Sequence, residues 1–283
     1  MKLVSFMVRG KPGIGVLNGK QISNITEAGF SSSMRSFLEA GPDTWHQALA
    51  KYEQGQVPLL DYDAVTLLSP VPNPSKVVAI GLNYKDHAKE QGATLPAAPL
   101  IFAKFPSSVI GPFDDITWDP ALTNEVDYEV ELGVVIGKKA RRVSEADALD
   151  YVFGYTVIND ISARNLQFGD KQWVRGKSLD TFCPVGPAIV TSDEIPDPQK
   201  LAVRCLVNDN VMQTSNTEQM VFGVRELVSY CSQAFTLEPG DLIATGTPGG
   251  VGVFRKPPFF LKDGDVVVTE VEHVGRIRNV VRL

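Results

Sequence analysis

Cysteine is scarce: Cys183, Cys205 and Cys231 are the only three in 283 residues, and no two form a CxxC pair. An odd, scattered set excludes a disulfide framework and a thiolate zinc site and points to buried free thiols. Long apolar runs are missing too. None reaches the roughly 18 residues of a membrane span, and the opening MKLVSFMVRGKPG is too short and too interrupted for a secretory signal. A cytoplasmic protein with no membrane contact is therefore expected. Positive charge is also in short supply, with 27 Lys plus Arg against 33 Asp plus Glu, a net charge of -6. That balance argues against broad nucleic-acid binding, which needs a cationic surface, but leaves room for a small anion held by a few local cations. There is no internal repeat and no low-complexity tract. What remains, 43% hydrophobic and 21% charged positions, is the composition of a globular protein with ample core, as one large domain or a small one joined to a larger one.

Residues 1 to 28 read as short strands broken by Gly10, Pro12, Gly13, Gly15 and Gly19, the first strand being the apolar run Leu3 to Val8. Helix-compatible runs follow at Ser32 to Ala40 and Asp43 to Tyr52, separated by the stop and restart of Gly41 and Pro42. Pro70, Pro72 and Pro74 then mark an extended connector. The boundary is placed there, giving a small N-terminal α+β domain, residues 1–70, and a larger domain, residues 71–283. The second part opens with a strand at Lys76 to Ile80 and a helix-like YKDHAKEQG, then runs mostly to short strands. It lacks the regular strand–helix alternation of a doubly wound sheet, so the expected class is α+β with a dominant, mostly antiparallel β component. Its best helix is Phe222 to Phe235, where Val224, Leu227, Val228, Cys231 and Phe235 recur at helical spacing ahead of Glu238-Pro239-Gly240.

The segment Val126 to Gly137 alternates in its first half, putting Val126, Tyr128, Val130 and Leu132 on one face and Asp127, Glu129 and Glu131 on the other. Two carboxylates two residues apart on a strand lie roughly 6 to 7 Å apart at the backbone. Away from water such like charges cost free energy unless a cation neutralises them or one stays protonated, and carboxylate oxygens suit magnesium, manganese or calcium. A solvated strand face fits the same spacing. A third carboxylate, Asp160, ends the run FGYTVIND 29 residues after Glu131 (160 minus 131). It stands as a ligand or, before ISARN, as a helix N-cap.

The blocks IGLNYKDHAKE, YEVELGVVIG, INDISARNLQ, WVRGKSLDTFCPVGP, NTEQMVF and PGDLIATGTPGGVG, in this order across residues 76–283, resemble the catalytic domain of the fumarylacetoacetate hydrolase family. KSLDTFCPVGP and the GVGVFRKPPFFLKDGD tail resemble its domain-containing protein 2 branch most. The resemblance implies a β-rich mixed sandwich or roll, with residues 1–70 like the variable N-terminal domain of bacterial members. It implies Mg2+ or Mn2+, with Ca2+ as a stand-in, on Glu129, Glu131 and Asp160. It also implies a catalytic His87–Glu90 dyad on a lid helix and Lys177 as oxyanion partner, with Arg164, Gln167 and Thr247 at the substrate. Asn165 stands where the family more often has Asp. Without the resemblance, His87 reads as a surface residue of the polar helix YKDHAKEQ. The glycine-rich TGTPGGVG lacks the Gly-Lys-Ser/Thr of a phosphate loop and reads as a turn or as backbone amides for a carboxylate. His46 and His273 match no site.

The activity the resemblance implies is divalent-metal-dependent hydrolysis of a C–C bond in an acylpyruvate-like 1,3-diketo acid. The alternatives are an oxaloacetate tautomerase or decarboxylase, a 2-oxo-acid isomerase, and, in a different class, a metal-stabilised binding protein without turnover. The implied partners are a small anionic 2-oxo acid and a second copy in a homodimer, for which the apolar FRKPPFF segment, residues 254–260, offers a contact or else a buried hairpin.

Overall fold

The computed structural model describes residues 1–283 and is α+β, with strands predominating. The expected meander forms from β1 (Lys2–Val8), β2 (Lys11–Asn18) and β3 (Gln21–Asn24), each paired with the next. Gly10 and Gly19 occupy its turns at φ 74° and 57°, a region glycine enters without a Cβ clash. Helices α1 (Met34–Glu39) and α2 (Pro42–Glu53) split at Gly41, and Ser33 caps α1 by accepting from the Ser36 amide. After β4 (Leu59–Asp61) and β5 (Thr66–Leu67) the proline connector carries no regular structure.

The rest of the chain continues with β6 (Val77–Gly81), α3 (Lys85–Gln91), β7 (Leu100–Lys104), β8 (Val109–Ile110), β9 (Val126–Asp127) and β10 (Val130–Ile136). Next come β11 (Val152–Asn159), β12 (Ser162–Ala163), α4 (Arg164–Asp170), α5 (Val174–Lys177) and β13 (Cys183–Thr191). The chain closes with β14 (Ala202–Val207), β15 (Asn210–Asn216), α6 (Val224–Ala234), β16 (Leu242–Ala244), β17 (Val266–Val271) and β18 (Gly275–Val280). One large sheet has the order β4-β3-β2-β1-β13-β11-β10-β16-β6-β7, with β5 on β1 and β8 on β13. A second sheet, β15-β14-β17-β18, packs on its middle. Only β16 with β6 and β13 with β8 are parallel pairs. The main apolar core draws on Val130, Leu132, Val134 and Val157 of the large sheet, Val203 and Ile277 of the small one, and Val224, Leu227, Val228 and Cys231 of α6. No helix is long and apolar enough to cross a membrane.

The connector near residue 70 does not divide two cores. Strand β1 hydrogen-bonds to β13, and Leu3, Ile14 and Val16 share one apolar cluster with Val77, Val135, Ile158 and Val185. A short meander with two small helices has too little apolar surface to bury by itself, so it completes its burial on the larger sheet. The alternation of residues 126–137 also acquires a different meaning. The strand breaks at Tyr128 and Glu129, and residues on both faces are buried, because β10 runs through the interior of the large sheet between β11 and β16.

Candidate active site

Glu129 immediately precedes β10 and Glu131 lies within it, on the same face. The antiparallel partner β11 ends at Asn159, and the Asp160 amide donates to the Glu129 carbonyl at 2.9 Å. Strand pairing alone thus delivers Asp160 to the two glutamates, and the ligand atoms of all three carboxylates lie within 4.8 Å of one another, buried. The solvated-face reading is excluded. So is the helix cap, since α4 begins at Arg164 behind Ala163, which makes no side-chain cap.

The charges are unevenly matched. Lys177 Nζ donates to Glu129 Oε2 at 2.8 Å and Asp160 Oδ2 at 2.7 Å, and Arg164 Nη1 reaches Glu129 Oε1 at 2.7 Å. Burial pushes the Glu129 carboxyl up, but Lys177 and Arg164 outweigh it and hold it at about 2. Lys177 is shifted above its ordinary value: burial opposes its charge, and Asp160 and Glu129 more than compensate. Glu131 accepts from the Gly246 amide at 2.7 Å and has no ion-pair partner. Burial, then Asp160 and Glu129, push its carboxyl well above the usual range. An oxygen-only donor set containing one uncompensated buried carboxylate fits a hard divalent cation such as Mg2+ or Mn2+.

Beside the triad lies a cavity of about 150 Å³ lined by Glu129, Lys177, Gln167, His87 and Thr247 and walled by Leu82, Phe102, Trp173 and Phe254. That is the space of roughly five waters. His87, buried on α3, turns Nδ1 to Glu90 Oε2 at 3.3 Å and Nε2 to the Gln91 amide nitrogen at 2.6 Å. A carboxylate at Nδ1 keeps the proton there, so Nε2 carries the lone pair and accepts from Gln91. The surface-helix reading of His87 is removed. Helix α3 is fastened over the cavity by Glu90 and Asp86, which accept from the amides of Gly250 (3.0 Å) and Gly249 (3.3 Å).

Other expected residues are placed differently. Arg164 lines the cavity and donates to Asp127 Oδ2 (2.9 and 2.8 Å), Gln167 Oε1 (2.9 Å) and Glu129, so it orients a triad member. Thr247 Oγ1 donates to the Val130 carbonyl at 2.9 Å and accepts from Gln213 at 2.8 Å. With Gly246, Gly249 and Gly250 also engaged, the glycine-rich loop binds α3 and Glu131 instead of forming an open anion nest. Asn165 accepts from Thr123 at 2.7 Å, away from the triad. His46 and His273 are exposed. Within FRKPPFF, Phe254 faces the His87 ring at 6.0 Å and Phe259 faces Tyr128 at 6.3 Å, while Lys256, Pro257 and Pro258 stay exposed.

The roles of several residues here were not legible in the sequence. Asp127, predicted on the face of Glu129 and Glu131, binds Arg164 and the amides of Gly252 (2.7 Å) and Val253 (3.0 Å). Gln213 joins Val130 to the Thr247 loop. Lys104, Gln91 and the cavity wall were likewise unforeseen; only the single charge ending the apolar run LIFAK hinted at Lys104.

The family profile described as "Fumarylacetoacetate (FAA) hydrolase C-terminal" matches residues 76–282. The chain belongs to the fumarylacetoacetate hydrolase family. Relatives agree along nearly the whole length. "Oxaloacetate tautomerase FAHD2A, mitochondrial" of Bos taurus is 51% identical over 261 residues, 90% of this chain and 82% of its own. The fumarylacetoacetate hydrolase of Exiguobacterium antarcticum has a TM-score of 0.90 at 39% identity, covering 100% of this chain and 99% of that one. Maleylpyruvate hydrolase of Sphingobium sp. SYK-6, solved with manganese(II) and pyruvate, has a TM-score of 0.82 at 32% identity, covering 100% and 99%. Family membership thus joins the β-rich fold to the buried acidic triad that could hold a divalent metal.

Proposed function

We propose that this chain is a divalent-metal-dependent tautomerase of oxaloacetate or a similarly small 2-oxo acid. The carrying observation is the cavity: about 150 Å³, lined by Glu129 of the acidic triad, by Lys177 and by His87, whose ring is paired with Glu90. It is well below the ~300–1,000 Å³ of sites for drug-sized ligands, which favours a substrate of few heavy atoms. The relatives named as oxaloacetate tautomerases support this choice of reaction.

Glu129, Glu131 and Asp160 would hold Mg2+ or Mn2+, as the manganese-bound Sphingobium enzyme supports. The bound ion would act as a Lewis acid on the 2-oxo group and its carboxylate. Keto–enol exchange moves one proton between C3 and the oxygen on C2 and breaks no carbon–carbon bond. Nε2 of His87, released from Gln91, takes the proton from C3 and delivers it to the C2 oxygen, the reverse path restoring the keto form, while Glu90 steadies the imidazolium. Lys177 uses two of its three donors on carboxylates, leaving the third for the C2 oxygen, and the Gln167 amide adds another.

The His87–Glu90 pair also favours a second reading, hydrolysis of an acylpyruvate, because water activation requires such a base. We extend the proposal to a homodimer, supported by the exposed rings of Phe105, Phe113 and Phe168. The test follows the enol absorbance of oxaloacetate, and by NMR the products from acetylpyruvate, with Mg2+ and with excess EDTA. Metal-dependent ketonisation without acetate supports the tautomerase. Metal-dependent acetate and pyruvate from acetylpyruvate would establish the hydrolase, and pyruvate from oxaloacetate alone the decarboxylase.

A further inference from the structure

One charged group stands outside this mechanism. Lys104 ends β7, an edge strand whose preceding four residues all reach solvent, yet its own side chain is completely buried. An ammonium so placed is tolerated only when its donors are satisfied. All three are: Asp160 Oδ1 at 2.6 Å, the Ile161 carbonyl at 3.2 Å, and the Lys177 carbonyl. None is left for a substrate.

Two of those partners belong to the site. Asp160 Oδ1 is tied to Lys104, which leaves Oδ2 as the oxygen that shares Lys177 with Glu129. The Lys177 carbonyl closes α5, so the same ammonium fixes the backbone from which the Lys177 side chain projects. Lys177 Nζ in turn lies 5.3 Å from the ring centre of Phe102, two residues before Lys104 on β7. The end of one edge strand therefore registers a carboxylate of the triad and the lysine that faces the cavity.

We propose that Lys104 is a positioning residue, orienting Asp160 for the metal and setting the origin of Lys177, without touching substrate. The proposal rests on the metal reading of Glu129, Glu131 and Asp160. A merely structural ion pair would alter melting alone, whereas a positioning residue alters metal affinity in the folded protein and kcat more than KM. Outer partners of metal ligands typically change affinity by about 10- to 100-fold when lost.

The experiment is calorimetric titration of Mg2+ and Mn2+ into the wild type, Lys104→Met and Lys104→Gln, each checked by near-ultraviolet circular dichroism, followed by kcat and KM. Lys76→Met serves as control: it breaks an ion pair to buried Asp241, at the far end of β16 from Gly246. The expected order of affinity is wild type and Lys76→Met together, then Lys104→Gln, then Lys104→Met, the last about 10- to 100-fold weaker. Lys104→Met affinity within twofold of wild type overturns the role of Lys104. A wild type that binds neither ion overturns the metal reading and this inference with it. Should Lys104→Met not fold, Lys104→Gln carries the comparison. Should both fail, the Lys104 ammonium resonance of the wild type is followed by NMR, and no response to Mg2+ overturns the proposal.

Discussion

Replacing Glu131 by Gln should stabilise the protein without metal and weaken it with metal. Glu131 is the one carboxylate of the triad without an ion pair, and it keeps the Gly246 amide as donor in either form. Gln preserves the shape and the acceptor while removing a buried charge. Because its folded pKa is raised, Glu131 contributes stability below the ordinary carboxyl value of 4.5 and loses it as pH rises through the folded value. The slope is at most about 1.4 kcal/mol per pH unit. In EDTA, then, the variant's advantage should grow as pH is raised above 4.5. With Mg2+ at a hundred times its Kd the wild type gains about 2.7 kcal/mol, or about 5–10 °C at roughly 2–4 °C per kcal/mol. A variant binding a hundredfold more weakly gains only about 0.4 kcal/mol at that concentration. Calorimetric melting from pH 5 to 8, with EDTA and with Mg2+, reads both signs. A variant that melts below wild type in EDTA, or keeps the full Mg2+ shift, would refute the charge accounting of the triad.

Three further outcomes follow from the same geometry. His87→Ala should lower kcat by about 10²–10⁴ while metal affinity measured by calorimetry stays put; an unchanged rate removes His87 as the base. Gly81→Ala adds a Cβ that overlaps the Trp173 ring, pressing the indole towards the cavity it lines, so kcat/KM should fall with little change in metal binding; wild-type kinetics would show that Trp173 yields outward freely. Burial pushes the Cys183 and Cys231 thiols to about 12 and Cys205 well above its ordinary value, so a thiol reagent at pH 8 should find no cysteine in the native protein and three after denaturation. A fast-reacting native thiol would contradict the packing.

The local elements were readable because each rests on a short-range rule. Gly41–Pro42 separated the two small helices, the 3.6-residue spacing of Val224, Leu227, Val228 and Cys231 marked α6, and the two-residue spacing of Glu129 and Glu131 put them on one face, which fitted a solvated strand as well as a metal site. The ordered motif blocks resembled the family because they carry those local patterns together. The boundary near residue 70 was different. Proline punctuation reports backbone extension, and says nothing of the ladder from β1 to β13 that merges both parts into one sheet with a shared apolar cluster.

Local patterns along the chain carry the class of fold, the family, and the residue types available for metal and proton chemistry. Which charges meet is a product of the folded sheet. Lys104 and Asp160 are 56 residues apart, and Arg164 and Asp127 are 37 apart, separations that no helical or strand period can encode. Folding also decided that Arg164 and Thr247, which line the cavity, hydrogen-bond to Asp127 and Val130, and that Gln91, Phe254 and Trp173 line it with them. The physical reason is that a buried ion's partners are set by where the sheet edges and loops converge, and that convergence is a property of the whole sheet order.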